Sequence, residues 1–344
     1  MSLPDGARGR MSRRRFISVG AGLAAGATVL PAVRAGATMA APLVAKVRCE
    51  QAIVDGVPSS DAAYAMLDRA ARDLVGRALP DMLRDLVSPD DKVGLKVNTL
   101  AGFELSTNLE VVEALVRGLT EAGVPEANIV VWDRFEDHLA RCMYPLNRDG
   151  AGYLCYGGES QSDPGLDEDA RYESDLGDGK PSFFYRVATR DLTKIINLPV
   201  SKDHNCSGVT GALKNLSFGA VNNTARFHDA PHYCDPMIGE ICAHPALKDK
   251  VVLHVMDALR ALYDGGPVVG NPDAVFEPKE VWMSRDPVAM DVLVLDLVNS
   301  EREKAGLPKI GEEGPSPKHI KTAADLGLGT DSPSPDSVVT AEIP

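Results

Sequence analysis

No two of the six cysteines (Cys49, Cys142, Cys155, Cys206, Cys234 and Cys242) form a C-x-x-C pair. A ferredoxin-type iron–sulfur cluster therefore has no binding motif in this chain. Positive charge is in deficit: 36 lysines and arginines face 49 aspartates and glutamates, for a formal charge of −13. That balance argues against nucleic acid or anionic lipid as a partner. The sequence lacks the run of about 18 strongly apolar residues that a stable membrane anchor needs, and it has no internal repeat. Nor does it contain G-x-x-x-x-G-K-[ST], so a P-loop nucleotide site is excluded.

What stands at the N-terminus is an export pattern. Ser12-Arg13-Arg14-Arg15-Phe16-Ile17 precedes an Ala/Gly-rich, weakly apolar run from Ile17 to Val33, interrupted by Pro31 and followed by Ala35-Gly36-Ala37. Residues 1–37 read as a cleaved twin-arginine signal with an A-x-A site. The expected location is periplasmic or secreted, with the twin-arginine export machinery as a partner and no stable membrane anchor after cleavage. This route carries proteins that are already folded, which favours a bound metal. Loss of the segment, with its six arginines and one acid (Asp5), takes the formal charge from −13 to −18. An even cysteine count in an oxidising compartment permits disulfides, and the spacing does not choose a pairing.

Residues 38–344 alternate short apolar runs with amphipathic segments. This pattern predicts an α/β domain, with a mostly parallel central sheet and helices on both faces. Helices are expected at Asp61 to about Val87, Leu109–Ala122 and Pro287–Leu297, the last with Asp286 as its N-cap. Strands are expected at Lys92–Asn98, Asn128–Asp133, Thr193–Val200, Val251–Met256 and Glu280–Met283. From about 141 to 190 the chain is acidic and Gly-rich, and reads as an irregular surface insertion, either a solvated loop or a lid.

Parallel strands deliver their carboxyl ends to one rim, where ligands bind. Asn98, Asp133, the Lys202–Cys206 stretch and Asp257 each end a predicted strand. Lys96 shares a strand face with Asn98 and is expected to run its ammonium to the sheet edge to stay solvated. In KDHNCSGVTGALKN (residues 202–215), Gly208 and Gly211 permit close backbone approach ahead of a helix start. Amide N–H groups there, with Lys214, suit an anion. Candidate substrate-binding residues are thus Lys96, Asn98, Gly208, Thr210, Gly211, Lys214 and Asn215, with Lys202 and Asp257 as candidate proton-handling catalytic residues.

RFHDAPHYCD (residues 226–235) adds His228, His232 and Cys234. With His204 and Cys206 they form a candidate transition-metal centre for iron, zinc or copper, for which His204, His228, Cys234 and Asp235 are the preferred ligands. Cys234, ahead of a helix start, is expected to favour thiolate. His254, inside a strand, reads as a satisfied core histidine. His138, His244 and His319 are also left out of the centre.

VGLKVN, STN-x-E-V-V-E-A-L-V, KIINLPVSKDHNCSGVTGALKN, MSRDPVAMD and AADLGLGT together resemble the DUF362 family over roughly residues 90–335. The resemblance implies an α/β domain with a polar or metal site, and implies no particular reaction. Some members carry appended ferredoxin-type cysteines, from which this chain departs. The functional expectation is an exported, metal-dependent enzyme acting on a small anionic substrate, possibly by redox chemistry. The alternatives are a metal- or small-acid-binding protein without catalysis, and a purely structural role for the cysteines and glycine loop.

Overall fold

In the computed structural model the described residues are 42–174, 176 and 178–344. The signal expected at residues 1–37 lies outside them. In chain order the strands are β1 (Val44–Cys49), β2 (Ile53–Val54), β3 (Val57–Pro58), β4 (Val93–Lys96), β5 (Ile129–Phe135), β6 (Leu154–Glu159), β7 (Leu166–Tyr172), β8 (Ser182–Tyr185), β9 (Lys194–Asn197), β10 (Val200–His204), β11 (Gly208–Thr210), β12 (Val251–Leu262), β13 (Val275–Phe276), β14 (Glu280–Ser284) and β15 (Val338–Ile343). The helices are α1 (Ser60–Val75), α2 (Leu79–Leu86), α3 (Leu109–Glu121), α4 (Glu136–Arg141), α5 (Ala212–Ala220), α6 (Met237–Ala243), α7 (Pro245–Lys248), α8 (Pro287–Lys304) and α9 (Lys318–Asp325).

The main sheet runs β15-β1-β14-β12-β9-β4-β5-β6, with β10, β11 and β13 attached through β12. From β12 to β6 all pairings along this path are parallel. β14 is antiparallel to both β12 and β1. The expected α/β architecture with a mostly parallel central sheet is the one observed.

Side-chain alternation along the strands sorts the core into two layers. Leu95, Val131, Ile196, Val255 and Met283 face a layer built with α1, α2 and α3. Val130, Trp132, Ile195, Met256 and Trp282 face the other layer, with α5, α6, α8 and α9. Because both faces are covered, the strands read as nearly continuous apolar runs.

Local chemistry sets the boundaries. The long helix expected from Asp61 to Val87 is two helices: Gly76, at φ 73°, adopts the left-handed conformation that ends α1. Asp286 caps α8 as expected, its carboxylate accepting from the N–H of Val288 at 2.9 Å and of Ala289 at 2.8 Å. The Thr193–Val200 strand divides into β9 and β10.

The 141–190 stretch holds more regular structure than its composition suggests. It supplies the edge strand β6, parallel to β5, and the β7–β8 hairpin. Phe184 and Tyr185 are fully buried, so this stretch packs through aromatic residues, and one of its acids, Asp167, is buried against Arg190 and Thr189. Among the described residues no helix is long and apolar enough to cross a membrane.

Candidate functional site

A cleft of about 610 Å³ opens at the carboxyl ends of β4 and β5, between α4, α5 and the loops after β10 and α5. Lys96, Asn98, Asp133, Thr210, Lys214, Asn215, His204 and His228 line it. Eight residues singled out in four separate parts of the sequence therefore meet.

Its floor is a buried polar network. Lys96 is 1% exposed, and its Nζ donates to Asp133 Oδ1 at 2.7 Å, Val97 O at 2.6 Å and Asn215 Oδ1 at 3.2 Å. The solvated ammonium expected for Lys96 is thus replaced by an internal ion pair: Asp133, one residue beyond Lys96's register partner Trp132, takes the place of water. Asp133 also accepts from Thr99 N at 2.7 Å, Thr99 Oγ1 at 2.6 Å and Arg134 N at 2.7 Å. Burial alone would raise its carboxyl, but the Lys96 ammonium and these N–H and O–H donors outweigh it and hold the group below the usual carboxylate value. Asn215 accepts from Asn98 Nδ2 at 3.1 Å and donates to Asn197 Oδ1 at 2.8 Å. Asn197 in turn reaches His254 Nδ1 at 3.1 Å, so His254 is the satisfied core histidine expected.

The two proposed proton handlers lie behind this floor. Lys202 is fully buried, donates to Asn98 Oδ1 at 2.9 Å and is pulled down to about 8, chiefly by burial against the pull of Asp133. It does not line the cleft. Asp257 accepts from the Asn108 N–H at 2.6 Å and Nδ2 at 2.8 Å, directly ahead of α3. That is a helix-start role on a buried surface, away from the cleft lining.

The glycine loop also differs from expectation. Gly208, at φ 78°, closes the short turn between β10 and β11, paired with His204. The amides at the start of α5 are occupied by the protein itself: Asp291 from α8 accepts from Ala212 N at 2.5 Å and Leu213 N at 3.1 Å. A Cβ on Gly211 would overlap that carboxylate. These amides are taken by the Asp291 carboxyl, and neither glycine is among the residues that line the cleft. Of this stretch Thr210, Lys214 and Asn215 reach the cleft. Thr210 is 3% exposed and its Oγ1 has no hydrogen-bond partner among the described residues.

Above the floor, the His204 and His228 rings stack with centroids 5.6 Å apart. They are oriented oppositely. His204 Nδ1 accepts from the N–H of Cys206 at 3.0 Å and Ser207 at 3.3 Å. Burial, reinforced by the nearby Lys214 charge, holds this ring neutral, so its one proton sits on Nε2. His228 Nδ1 donates to Thr224 O at 3.0 Å and Ala225 O at 3.3 Å, which leaves the Nε2 lone pair facing Lys214 Nζ at 3.4 Å. Lys214 Nζ also lies 3.3 Å from Cys234 Sγ and 4.7 Å from the Phe218 ring centre. Burial lowers Lys214, opposed by Cys234.

This donor set does not fit a transition-metal centre. A ligating histidine normally donates its second N–H to an acceptor, which His228 does and His204 cannot. Asp235 points to α9, where it accepts from Thr322 Oγ1 at 2.7 Å. Cys234 is fully buried and its thiol is raised by burial, with Lys214 pulling the other way. Burial thus wins over the thiolate expected from a helix start, and α6 itself begins only at Met237. Among the described residues no group of three or more His, Cys, Asp or Glu is placed to hold a metal ion. All six cysteines are free thiols.

Several lining residues escaped the sequence reading. Arg134, Phe135, His138, Phe218 and Thr224 all face the cleft. Arg134 matters most: its Nε donates to Tyr185 Oη at 3.1 Å and its Nη1 to Thr224 Oγ1 at 2.7 Å. Among the described residues no carboxylate forms an ion pair within 4.0 Å of the Arg134 guanidinium or the Lys214 ammonium, although the Arg134 backbone N–H donates to Asp133. The only signal for Arg134 in the sequence was its place immediately after Asp133.

Fold and site together define an α/β protein with a cationic, aromatic-walled cleft at the carboxyl ends of parallel strands. Residues 93–296 match the family model described as a domain of unknown function, DUF362. The match spans more than half of the chain and includes every cleft-lining residue, and the chain belongs to the DUF362 family. No curated protein matches. Among solved structures the chain is similar to a Thermotoga maritima protein, a structural genomics target. The two share 14% identity at a TM-score of 0.37, over 62% of this chain and 53% of that one. The chain thus spans about half the length of that protein.

Proposed function

We propose that this chain is an enzyme that binds a small organic anion in the cleft and exchanges a proton with it. One observation carries the reading: Arg134 and Lys214 line a cavity without a carboxylate partner, in a protein whose formal charge is −13. A half-buried guanidinium and a buried ammonium left uncompensated raise the local potential and favour a negatively charged ligand. Arg134 supplies the permanent charge and a planar fork suited to a carboxylate or phosphate. Thr210 Oγ1, otherwise unpartnered, offers a donor to a ligand oxygen. Phe135 and Phe218 provide apolar walls for the rest of the ligand.

His228 and Lys214 then handle the proton. Thr224 orients both ends of this arrangement, since its hydroxyl holds Arg134 and its carbonyl fixes the His228 tautomer. A neutral imidazole nitrogen 3.4 Å from the Lys214 ammonium is placed to act as a general base. The proposal sets this chemistry in the periplasm or outside the cell, on the strength of the twin-arginine pattern alone.

The test is calorimetric titration of the full chain with a panel of small carboxylates and phosphate monoesters. At least one member is expected to bind one per chain, and Arg134→Ala is expected to weaken it about tenfold or more, as for loss of a hydrogen bond to a charged group. Binding unchanged in Arg134→Ala, or no binding across the panel, overturns the reading.

A further inference from the structure

The three buried lysines near the cleft are not equivalent. Lys96 is bound to Asp133, and Lys202 stands behind the lining with Asn98. Lys214 alone lines the cavity without a carboxylate, is 7% exposed, and has an unprotonated imidazole nitrogen 3.4 Å from its Nζ. A lysine amine is a nucleophile only when neutral, and a desolvated site beside a base is where it becomes so.

Resting on the anion-binding reading above, we propose that Lys214 is a covalent nucleophile that forms an imine with a carbonyl-bearing organic anion held by Arg134. His228 Nε2 takes one proton from the Lys214 ammonium. The freed amine attacks the carbonyl carbon, forming the N–C bond, and the carbonyl electron pair moves to oxygen, which takes that proton back from His228. His228 next removes the second nitrogen proton and delivers it to the hydroxyl. The C–O bond breaks, water leaves, and the nitrogen lone pair closes the C=N bond. The net change is ammonium plus carbonyl to protonated imine plus water, the third nitrogen proton staying on nitrogen, with no oxidant or reductant consumed. The Phe218 ring, its centre 4.7 Å from Nζ, gives the product an apolar wall.

The experiment treats the full chain with glyoxylate, pyruvate or phenylglyoxylate, quenches with borohydride, and maps the adduct by peptide mass spectrometry, with calorimetric binding of the same acids in parallel. A single adduct on Lys214 is expected, abolished in Lys214→Arg with the melting temperature retained. In His228→Gln the adduct should form about 100-fold more slowly, as for loss of a general base. Binding of an acid without any adduct overturns the imine while leaving the anion site standing. Neither binding nor adduct from any of the three overturns the imine, and the wider panel of carboxylates and phosphate monoesters then decides whether the anion site stands. An adduct spread over exposed lysines such as Lys304, with no preference for Lys214, also overturns the imine.

Discussion

Asp133→Asn keeps the shape of the side chain and removes its charge, leaving the Lys96 ammonium buried without a counterion. The pair is 2.7 Å apart at 1% and 9% side-chain exposure, so bulk water does not replace the carboxylate. Removing one member of such a pair costs about 3–5 kcal/mol. With an unfolding entropy of about 2.1 cal/mol/K per residue over roughly 300 residues, this corresponds to a fall in melting temperature of about 5–8 °C. Thermal unfolding followed by circular dichroism, at one scan rate, reads it. The companion variant Lys96→Met in the Asp133→Asn background removes the stranded ammonium, and should recover a substantial part of the loss. A drop under about 2 °C in the single variant, or a double variant no more stable than the single, would refute the claim that this ion pair holds the cleft floor together.

Asp291 makes a pH prediction. Burial raises its carboxyl to about 7 in the folded chain, against 3.8 for the ordinary group, opposed by the Ala212 and Leu213 N–H bonds. The folded state therefore holds the proton more tightly, and this contribution to stability is full below about pH 4 and lost as pH rises through about 7. The stability difference between wild type and Asp291→Asn, measured by denaturant titration, should shift against the wild type over that interval, and a flat difference contradicts the assignment. A thiol count should give six free thiols after unfolding without reductant. In the native state Cys206, the one cysteine that is not fully buried, should react first, and slowly when an anion occupies the cleft.

Much of the fold was legible because its signals are local. Apolar strands such as Val93–Lys96 and Ile129–Phe135, and the Asp286-Pro287 helix start, act through neighbours in sequence. The rim position of Asn98 and Asp133 followed from strand direction alone. The apolar spacing of Asp61–Val87 continues across Gly76 and so predicts one helix, whereas a single left-handed residue there turns the chain. The 141–190 stretch looked structureless because its acidic residues dominate the composition, while Phe184 and Tyr185 do the packing.

The site divides along the same line. Residue types and strand ends, read from the sequence by itself, brought Lys96, His204, Lys214 and His228 to one cleft. What each group does there was decided only by tertiary contact. Asp291, 79 residues from Ala212, takes the amides that the glycine loop offers to an anion. Two backbone N–H groups turn His204 the wrong way for a metal, and Asp133 neutralises Lys96 but leaves Arg134 and Lys214 uncompensated. The state of a buried ionisable group depends on the partners within a few ångströms of it, and those partners arrive from distant parts of the chain.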